Sequence, residues 1–299
     1  MTNWTCNYAC RFCFLGDKRS IQCIIDIEKL GEQLQEISKA YHIASIQVYG
    51  GETSILGFPF FQKLYSVLEG YAPVSLITNF SDPEFCRKAN ALGASIGISL
   101  NKERDHAEET LQRLLCSNIP ASISCVATPS VIRADTKKLL DRCERLGRGI
   151  GFIQYSKAES NPFAWSLTNR DYAGFLKRLI TEYDAGGYTF PLENKKEVQD
   201  ALEREYHPQM RSLLFIDPMN RYASIQYDEE QQETFKTYGS LSEWEGDCVN
   251  EERRYWERCA GCKYYECCLA EHLHSWQDGD ECCGMKGVLE HFEGLHQDD

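Results

Sequence analysis

The chain has 299 residues, 42% of them apolar, enough for a sizeable core and a length that fits one catalytic domain with an appendage. Its formal net charge of −13 argues against a nucleic-acid surface and against a polybasic membrane patch. No run of about 18 apolar residues occurs and the N-terminus lacks the basic and apolar regions of a signal peptide, so the sequence reads as cytoplasmic, without a membrane span.

Residues 1–5 are expected to form a very short first strand feeding a cysteine-bearing loop. Asp26 to Tyr41 reads as a helix, with Ile27, Leu30, Leu34 and Ile37 at helical spacing. Residues 44–49 read as a strand that ends in Gly50, Gly51 and Glu52. A helix over 60–68 and a strand over 74–79 follow. The next helix spans 82–92, with Pro83 in its first turn and Gly93 at its end. Then come a strand over 94–100, a helix over 104–116 and a strand over 121–127. A helix over 135–146 closes at Gly147 and leads into a strand over 149–155. This alternation implies a parallel sheet covered by helices, an α/β fold. Six strands imply a curved partial barrel whose active site lies at the C-terminal strand ends, where both the cysteine loop and Gly50-Gly51-Glu52 fall.

Residues 156–170 read as a boundary loop. A helix over 171–183 is stopped by Gly186-Gly187, and a polar helix covers 193–205. Residues 213–225 read as a hairpin turning at Asp217–Asn220. The expected organisation is a core over 1–160, linking helices over 161–205 and a small cysteine-rich domain over 206–299.

Fifteen cysteines point to metal or redox chemistry in a reducing compartment. Cys6, Cys10 and Cys13 are spaced Cys-x3-Cys-x2-Cys. Three thiolates on one loop can hold three irons of a [4Fe–4S] cube and leave the fourth open. Zinc is the other reading, although a structural zinc site wants four ligands and the next thiol is Cys23. Seven cysteines lie between Cys248 and Cys283. The scattered Cys23, Cys86, Cys116, Cys125 and Cys143 read as small buried apolar residues.

Cys6-x3-Cys10-x-Phe12-Cys13, followed by a strand ending in Gly50-Gly51-Glu52, resembles the radical S-adenosylmethionine (SAM) superfamily over about residues 1–156. The resemblance implies a partial (β/α)6 barrel, a [4Fe–4S] cluster on Cys6, Cys10 and Cys13, and SAM on its open iron. It implies cofactor contacts from Phe12, Gly50, Gly51 and Glu52. The glycines would let backbone approach the ligand, and Glu52 or neighbouring carbonyls would accept from the methionine ammonium. Thr78-Asn79 stands where relatives carry Thr-Asn-Gly, with Phe80 in place of Gly. Ser99-Leu-Asn101 stands where relatives have Ser-Leu-Asp near the SAM ribose. The plain reading of Asn79, Ser99 and Asn101 is that of strand-end residues capping the next helix.

Cys259-x2-Cys262-x5-Cys268 and Cys282-x3-Lys286 resemble the SPASM extension of peptide-modifying radical SAM enzymes. The resemblance implies one auxiliary [4Fe–4S] cluster on Cys259, Cys262, Cys268 and Cys282, with Cys267 and Cys283 able to exchange roles. A zinc knuckle is the other reading of these spacings. Ile225 stands where relatives carry a hairpin cysteine, nothing between Cys143 and Cys248 is Cys, and His272 occupies a further ligand position. The substrate-proximal auxiliary cluster is therefore expected to be missing, and Cys248 reads as a packed thiol, with a late ligand or a hydrogen-atom donor as the other readings. By resemblance, the function is that of a RiPP maturase. It would cleave SAM reductively to a 5′-deoxyadenosyl radical and abstract hydrogen from a precursor peptide, giving a crosslink, epimerisation or excision. Flavodoxin or ferredoxin would supply electrons, and a separate partner or the barrel itself would bind the leader because little chain precedes Cys6. The 213–225 hairpin is the candidate edge for leader backbone, and the other reading is that it only packs the tail onto the barrel. A small-molecule radical SAM dehydrogenase and a non-catalytic iron–sulfur or zinc module are the alternatives.

Overall fold

A computed structural model describes residues 1–155, 165, 167–205, 213–227, 233–265, 267–268, 282 and 285–296. Five strands, β1 (Ile46–Val48), β2 (Val74–Thr78), β3 (Ser95–Ser99), β4 (Ala121–Ala127) and β5 (Ile150–Gln154), pair side by side in chain order, all parallel. Helix α1 (Ile27–Ala40) precedes the sheet, and the intervening helices are α2 (Phe58–Leu68), α3 (Pro83–Ala91), α4 (Ala107–Leu115), the single turn α5 (Pro129–Ile132) and α6 (Thr136–Leu146). The result is an open, partial barrel.

Local chemistry sets the helix starts. Asp26 caps α1 by accepting from Glu28 N at 2.9 Å and Lys29 N at 3.2 Å. Asp82 caps α3, with Pro83 at its first position. Helix α4 begins at Ala107, later than its pattern suggests, because His106 sits in the left-handed region at φ 53°. The apolar stripe of α1 (Ile27, Leu30, Leu34, Ile37) is buried, as its spacing requires.

The expected first strand is corrected. Residues 1–5 form no regular strand; a single antiparallel bridge joins Asn3 to Ile24. The sheet therefore has five strands, not six. The segment instead bonds to the end of β1, with Thr2 N donating to Tyr49 O at 2.8 Å and Glu52 N to Thr5 O at 2.9 Å.

Helices α7 (Asn169–Gly186) and α8 (Glu193–Leu202) continue the same core. A capping box starts α7: Thr168 Oγ1 accepts from Asp171 N at 3.0 Å, and the Asp171 carboxylate accepts from Thr168 N at 3.0 Å. Tyr172 Oη donates to the Phe152 carbonyl at 2.6 Å, fastening α7 to β5.

A second sheet is antiparallel, in the order β6 (Phe215–Ile216), β7 (Tyr222–Tyr227), β8 (Glu233–Tyr238). The hairpin turn falls at Asp217–Asn220, where Asn220 is left-handed at φ 57°. Strand β8 was not foreseen, and it covers the edge of the hairpin considered for leader binding. Helices α9 (Leu241–Cys259) and α10 (Lys286–His296) complete the fold. Leu241, Trp244 and Cys248 of α9 pack with Tyr222 and Tyr238, while Val288, Leu289 and Phe292 of α10 join the main core. No helix among the described residues is long and apolar enough to cross a membrane.

Of the scattered cysteines, Cys86 and Cys143 are buried as expected. Cys23 and Cys125 are half-buried and Cys116 is exposed, which corrects the expectation for those three. Cys116 is the C-cap of α4, just past its last turn.

Candidate active site

The C-terminal ends of β1, β2 and β3 carry Gly50-Gly51-Glu52, Asn79 and Ser99-Leu100-Asn101, so one end of the sheet holds all three motifs. Residues 2–5 cross this end. A Cβ on Gly51 would lie 1.9 Å from the Thr5 carbonyl oxygen, and one on Gly50 would lie 2.4 Å from the Asn3 oxygen. The close approach that these glycines permit is thus to the chain's own N-terminal segment. Below it lies a buried polar network. Thr2 Oγ1 meets Thr53 Oγ1 at 2.9 Å, and Asn3 Nδ2 donates to Thr5 O at 2.8 Å.

Glu52 is 1% exposed, and its carboxylate accepts from Ser54 N at 3.0 Å, Thr78 Oγ1 at 2.9 Å and Asn79 N at 2.7 Å. Such a carboxylate ties the end of β1 to the end of β2. Asn79, likewise buried, donates from Nδ2 to Asn7 Oδ1 at 2.7 Å and reaches Cys6 Sγ at 3.9 Å. The structure therefore brings Cys6, Glu52 and Asn79 together. Phe80, at the position of the relatives' glycine, is fully buried in the left-handed region at φ 59°.

Asn101 is placed apart from the cysteine loop. Its Nδ2 donates to Val126 O at 2.6 Å and its Oδ1 accepts from Glu103 N at 2.9 Å, which joins the ends of β3 and β4. Ser99 is half-buried at the end of β3, its carbonyl accepting from Arg104 Nη1. Phe12 is half-buried on the loop.

Cys10 is buried, and Cys6 and Cys13 are half-buried. Burial pushes the Cys6 thiol up to about 11, and the Glu52 charge adds to the shift. Burial also raises Cys10, opposed by the Arg104 guanidinium. Each of these thiols acts on the others through their charges, so all three are neighbours. No three His, Cys, Asp or Glu side chains among the described residues are grouped to hold a single metal ion. A tetrahedral zinc at about 2.3 Å from each thiolate demands such a group. A cluster spreads its thiolates over separate irons, and the three thiols on one loop, Cys6, Cys10 and Cys13, are the donor set it would take.

In the tail, Cys262 N donates to Cys259 O at 2.8 Å and Cys267 N to Tyr264 O at 3.1 Å, a run of tight turns. Cys267 is 1% exposed within the core, whereas Cys259, Cys262, Cys268 and Cys282 are half-buried. Cys283 and His272 lie outside the described residues. Cys248 is buried among Trp244, Tyr238 and Leu241, in keeping with a packed thiol.

The sequence reading passed over Thr2, Asn3 and Thr53, all buried, and the pair Arg104 and Asp105. Asp105 accepts from Ala9 N at 2.5 Å, inside the cysteine loop. A charged pair soon after a strand ending in Asn is too common a pattern to announce this contact.

No family model matches the chain, and no curated protein matches it. Among solved structures, anSMEcpe with bound AdoMet, an anaerobic sulfatase-maturating enzyme, is 17% identical over 99% of this chain and 94% of its own, with a TM-score of 0.68. The same protein with AdoMet and the Cp18Cys peptide is 16% identical, with a TM-score of 0.66. SuiB from Streptococcus suis, bound to S-adenosylmethionine, is 13% identical over 90% of this chain and 70% of its own, with a TM-score of 0.60. Both are radical SAM enzymes. At these identities the likeness speaks to the fold, and the chain has the partial-barrel fold of the radical SAM enzymes.

Proposed function

We propose that the chain is a radical SAM enzyme acting on a peptide. The observation that carries this reading is the convergence of Cys6, Glu52 and Asn79 at the C-terminal end of a partial barrel of that fold. Cys6, Cys10 and Cys13 would hold a [4Fe–4S] cluster with one iron open to SAM. Reduced and loaded, that pair supplies a 5′-deoxyadenosyl radical able to take hydrogen from an unactivated carbon.

The chain's own residues position and exclude. Glu52 and Asn101 have their polar atoms engaged by the protein, so their part is to hold strand ends in register. Gly50, Gly51, Phe12 and Ser99 would meet the cofactor directly, with the Asn79 amide beside Cys6. Cys259, Cys262, Cys268 and Cys282 would hold one auxiliary cluster, with Cys267 sequestered in the core. We assign residues 1–160 to the catalytic core, 161–205 to linking helices and 206–299 to a SPASM-like domain. The peptide substrate is supported by anSMEcpe, similar over nearly the whole chain and known with the Cp18Cys peptide. A crosslink, epimerisation or excision is the expected outcome, with a flavodoxin or ferredoxin donor in the cytoplasm and a separate leader-binding partner.

The test is anaerobic reconstitution followed by reduction with dithionite and measurement of 5′-deoxyadenosine. Co-expression with short peptides encoded beside the gene follows, with mass spectrometry and chiral analysis. Loss of two hydrogens supports a crosslink, and unchanged mass with altered chirality an epimerisation. An iron-loaded protein that yields no 5′-deoxyadenosine overturns the enzyme reading. SAM turnover stimulated by a metabolite but by no neighbouring peptide replaces the peptide with a small molecule.

A further inference from the structure

The loop between β3 and α4 reaches back over the cysteine loop. Asp105 accepts from Ala9 N at 2.5 Å. The Arg104 guanidinium carbon lies 5.7 Å from the centre of the Tyr8 ring, and the His106 ring lies 5.1 Å from it. The Tyr8 hydroxyl meets Thr110 Oγ1 at 3.5 Å and accepts from Arg113 Nη1 at 3.4 Å. One short stretch of chain thus grips Tyr8 and Ala9, the two residues ahead of Cys10.

Arg104 is held on two sides, by the Ser99 carbonyl at Nη1 and by the Tyr8 ring. Its Nε, in contrast, is buried and has no hydrogen-bond partner among the described residues. An unsatisfied buried N–H costs about 1–3 kcal/mol. Tyr8 and Ala9, on which Arg104 and Asp105 sit, directly precede the buried Cys10, so both charges stand beside a thiol of the cysteine loop.

We propose that Arg104 is a positioning residue of the cysteine loop whose guanidinium makes the cluster easier to reduce, with Asp105 as the opposing charge on the same loop. The inference rests on the radical SAM reading above. A cation beside a thiolate ligand favours the more negative, reduced cluster, and a carboxylate there favours the oxidised one. The two adjacent residues therefore set the potential in opposite directions while both hold the loop in place.

The experiment compares wild type, Arg104→Gln, Arg104→Lys and Asp105→Asn, each reconstituted anaerobically. Iron per chain is measured, then the potential of the cluster whose electron paramagnetic resonance signal SAM perturbs. Arg104→Gln is expected to keep its iron and to shift the reduction equilibrium about tenfold toward the oxidised form, about 59 mV lower for one electron. Arg104→Lys is expected to lie between it and wild type, and Asp105→Asn to move the other way. A purely structural grip would cost both variants iron and would give no opposed pair of shifts. Full iron with unchanged potentials overturns the inference alone. So does iron loss in both variants. Weakened SAM binding by Arg104→Gln at an unchanged potential would reassign the guanidinium to the cofactor and also overturns it. A wild-type chain that takes up no iron overturns the radical SAM reading with it.

Discussion

Gly51→Ala probes the junction on which the cysteine loop rests. The added Cβ would stand 1.9 Å from Thr5 O, 2.4 Å from Thr5 C and 2.6 Å from Trp4 O. Against the 3.4 Å at which ordinary contact begins, that is a shortfall of about 1.5 Å. All three obstructing atoms are backbone, so no rotamer change absorbs the clash. Residues 2–5 must retreat, and the bonds Thr2 N to Tyr49 O, Gly51 N to Asn3 O and Glu52 N to Thr5 O are lost with them. At about 1 kcal/mol net for each bond, the cost is about 3 kcal/mol. At about 2–4 °C per kcal/mol, the melting temperature should fall by about 6–12 °C. The displaced segment carries Cys6, so iron uptake on reconstitution should fall by about four per chain. Gly246→Ala is the control, because nothing lies within 4 Å of its Cβ position. In mid-helix it should stabilise by about 0.5–1 kcal/mol. Differential scanning calorimetry and iron analysis read both variants. If Gly51→Ala melts with wild type and takes up the same iron, the junction does not support the loop and the reasoning fails.

Replacing Cys6, Cys10 and Cys13 together with Ala should abolish 5′-deoxyadenosine formation under dithionite and remove about four irons per chain. Wild type should reconstitute to about eight irons, read by Mössbauer spectroscopy, and a reproducible twelve would mean a third site in the tail. Phe80→Gly relieves a left-handed backbone worth about 1–3 kcal/mol but removes a fully buried ring worth about 3–5 kcal/mol, so urea titration should show a net loss of about 2 kcal/mol. Burial pushes the Cys86 and Cys143 thiols up to about 12, so less of the reactive thiolate is present than in an exposed thiol at any lower pH. Iodoacetamide at about pH 8 should therefore label exposed Cys116 before either of them, as read by peptide mapping.

The α/β architecture was legible because periodicity reports burial and the helices and strands alternate along the chain. Ile27, Leu30, Leu34 and Ile37 are the clearest case. The first strand was misread for want of a partner ladder. Residues 2–5 form backbone bonds, yet these go to the irregular end of β1. The motifs told which residues meet but not how. Gly50-Gly51 reads equally well as room for a ligand and as room for the chain, and only the position of Thr5 shows that the chain itself occupies the side where a Cβ would stand. The tail was legible in its cysteines and not in its elements. Helix α9 buries Leu241, Trp244 and Cys248 at helical spacing, but against Tyr222 and Tyr238, a face that exists only once β8 has paired with β7. Arg104 and Asp105 act across nearly a hundred residues of chain, a separation that no local pattern encodes.

The missing cysteine at position 225 is better understood as a replacement than as a loss. Residues opposed across an antiparallel pair share a face, and so do residues two apart on one strand. Phe215 opposes Ala223, and Ile225 opposes Phe235, so these four lie on one face of the small sheet. From that face Phe235 meets Phe14 at 5.4 Å and Phe215 at 5.7 Å. Tyr49 completes the group, 6.1 Å from Phe215 and 6.5 Å from Phe14. Phe14 directly follows Cys13, and Tyr49 directly precedes Gly50. The rings therefore join the tail sheet to both motifs of the site, each pair adding about 0.5–1.5 kcal/mol beyond its buried area. A charged cluster at 225 would have to displace this apolar block. On the other face, Tyr222 and Tyr238 pack against α9. Both faces of β7 are thus committed, and both of its edges are paired, with β6 and β8. Strand addition by a peptide has only the outer edges left among the described residues. Strand β6 offers two residues and β8 offers six, so the backbone of a peptide recognised on this sheet would pair with β8, beside Phe235, and not with the hairpin itself.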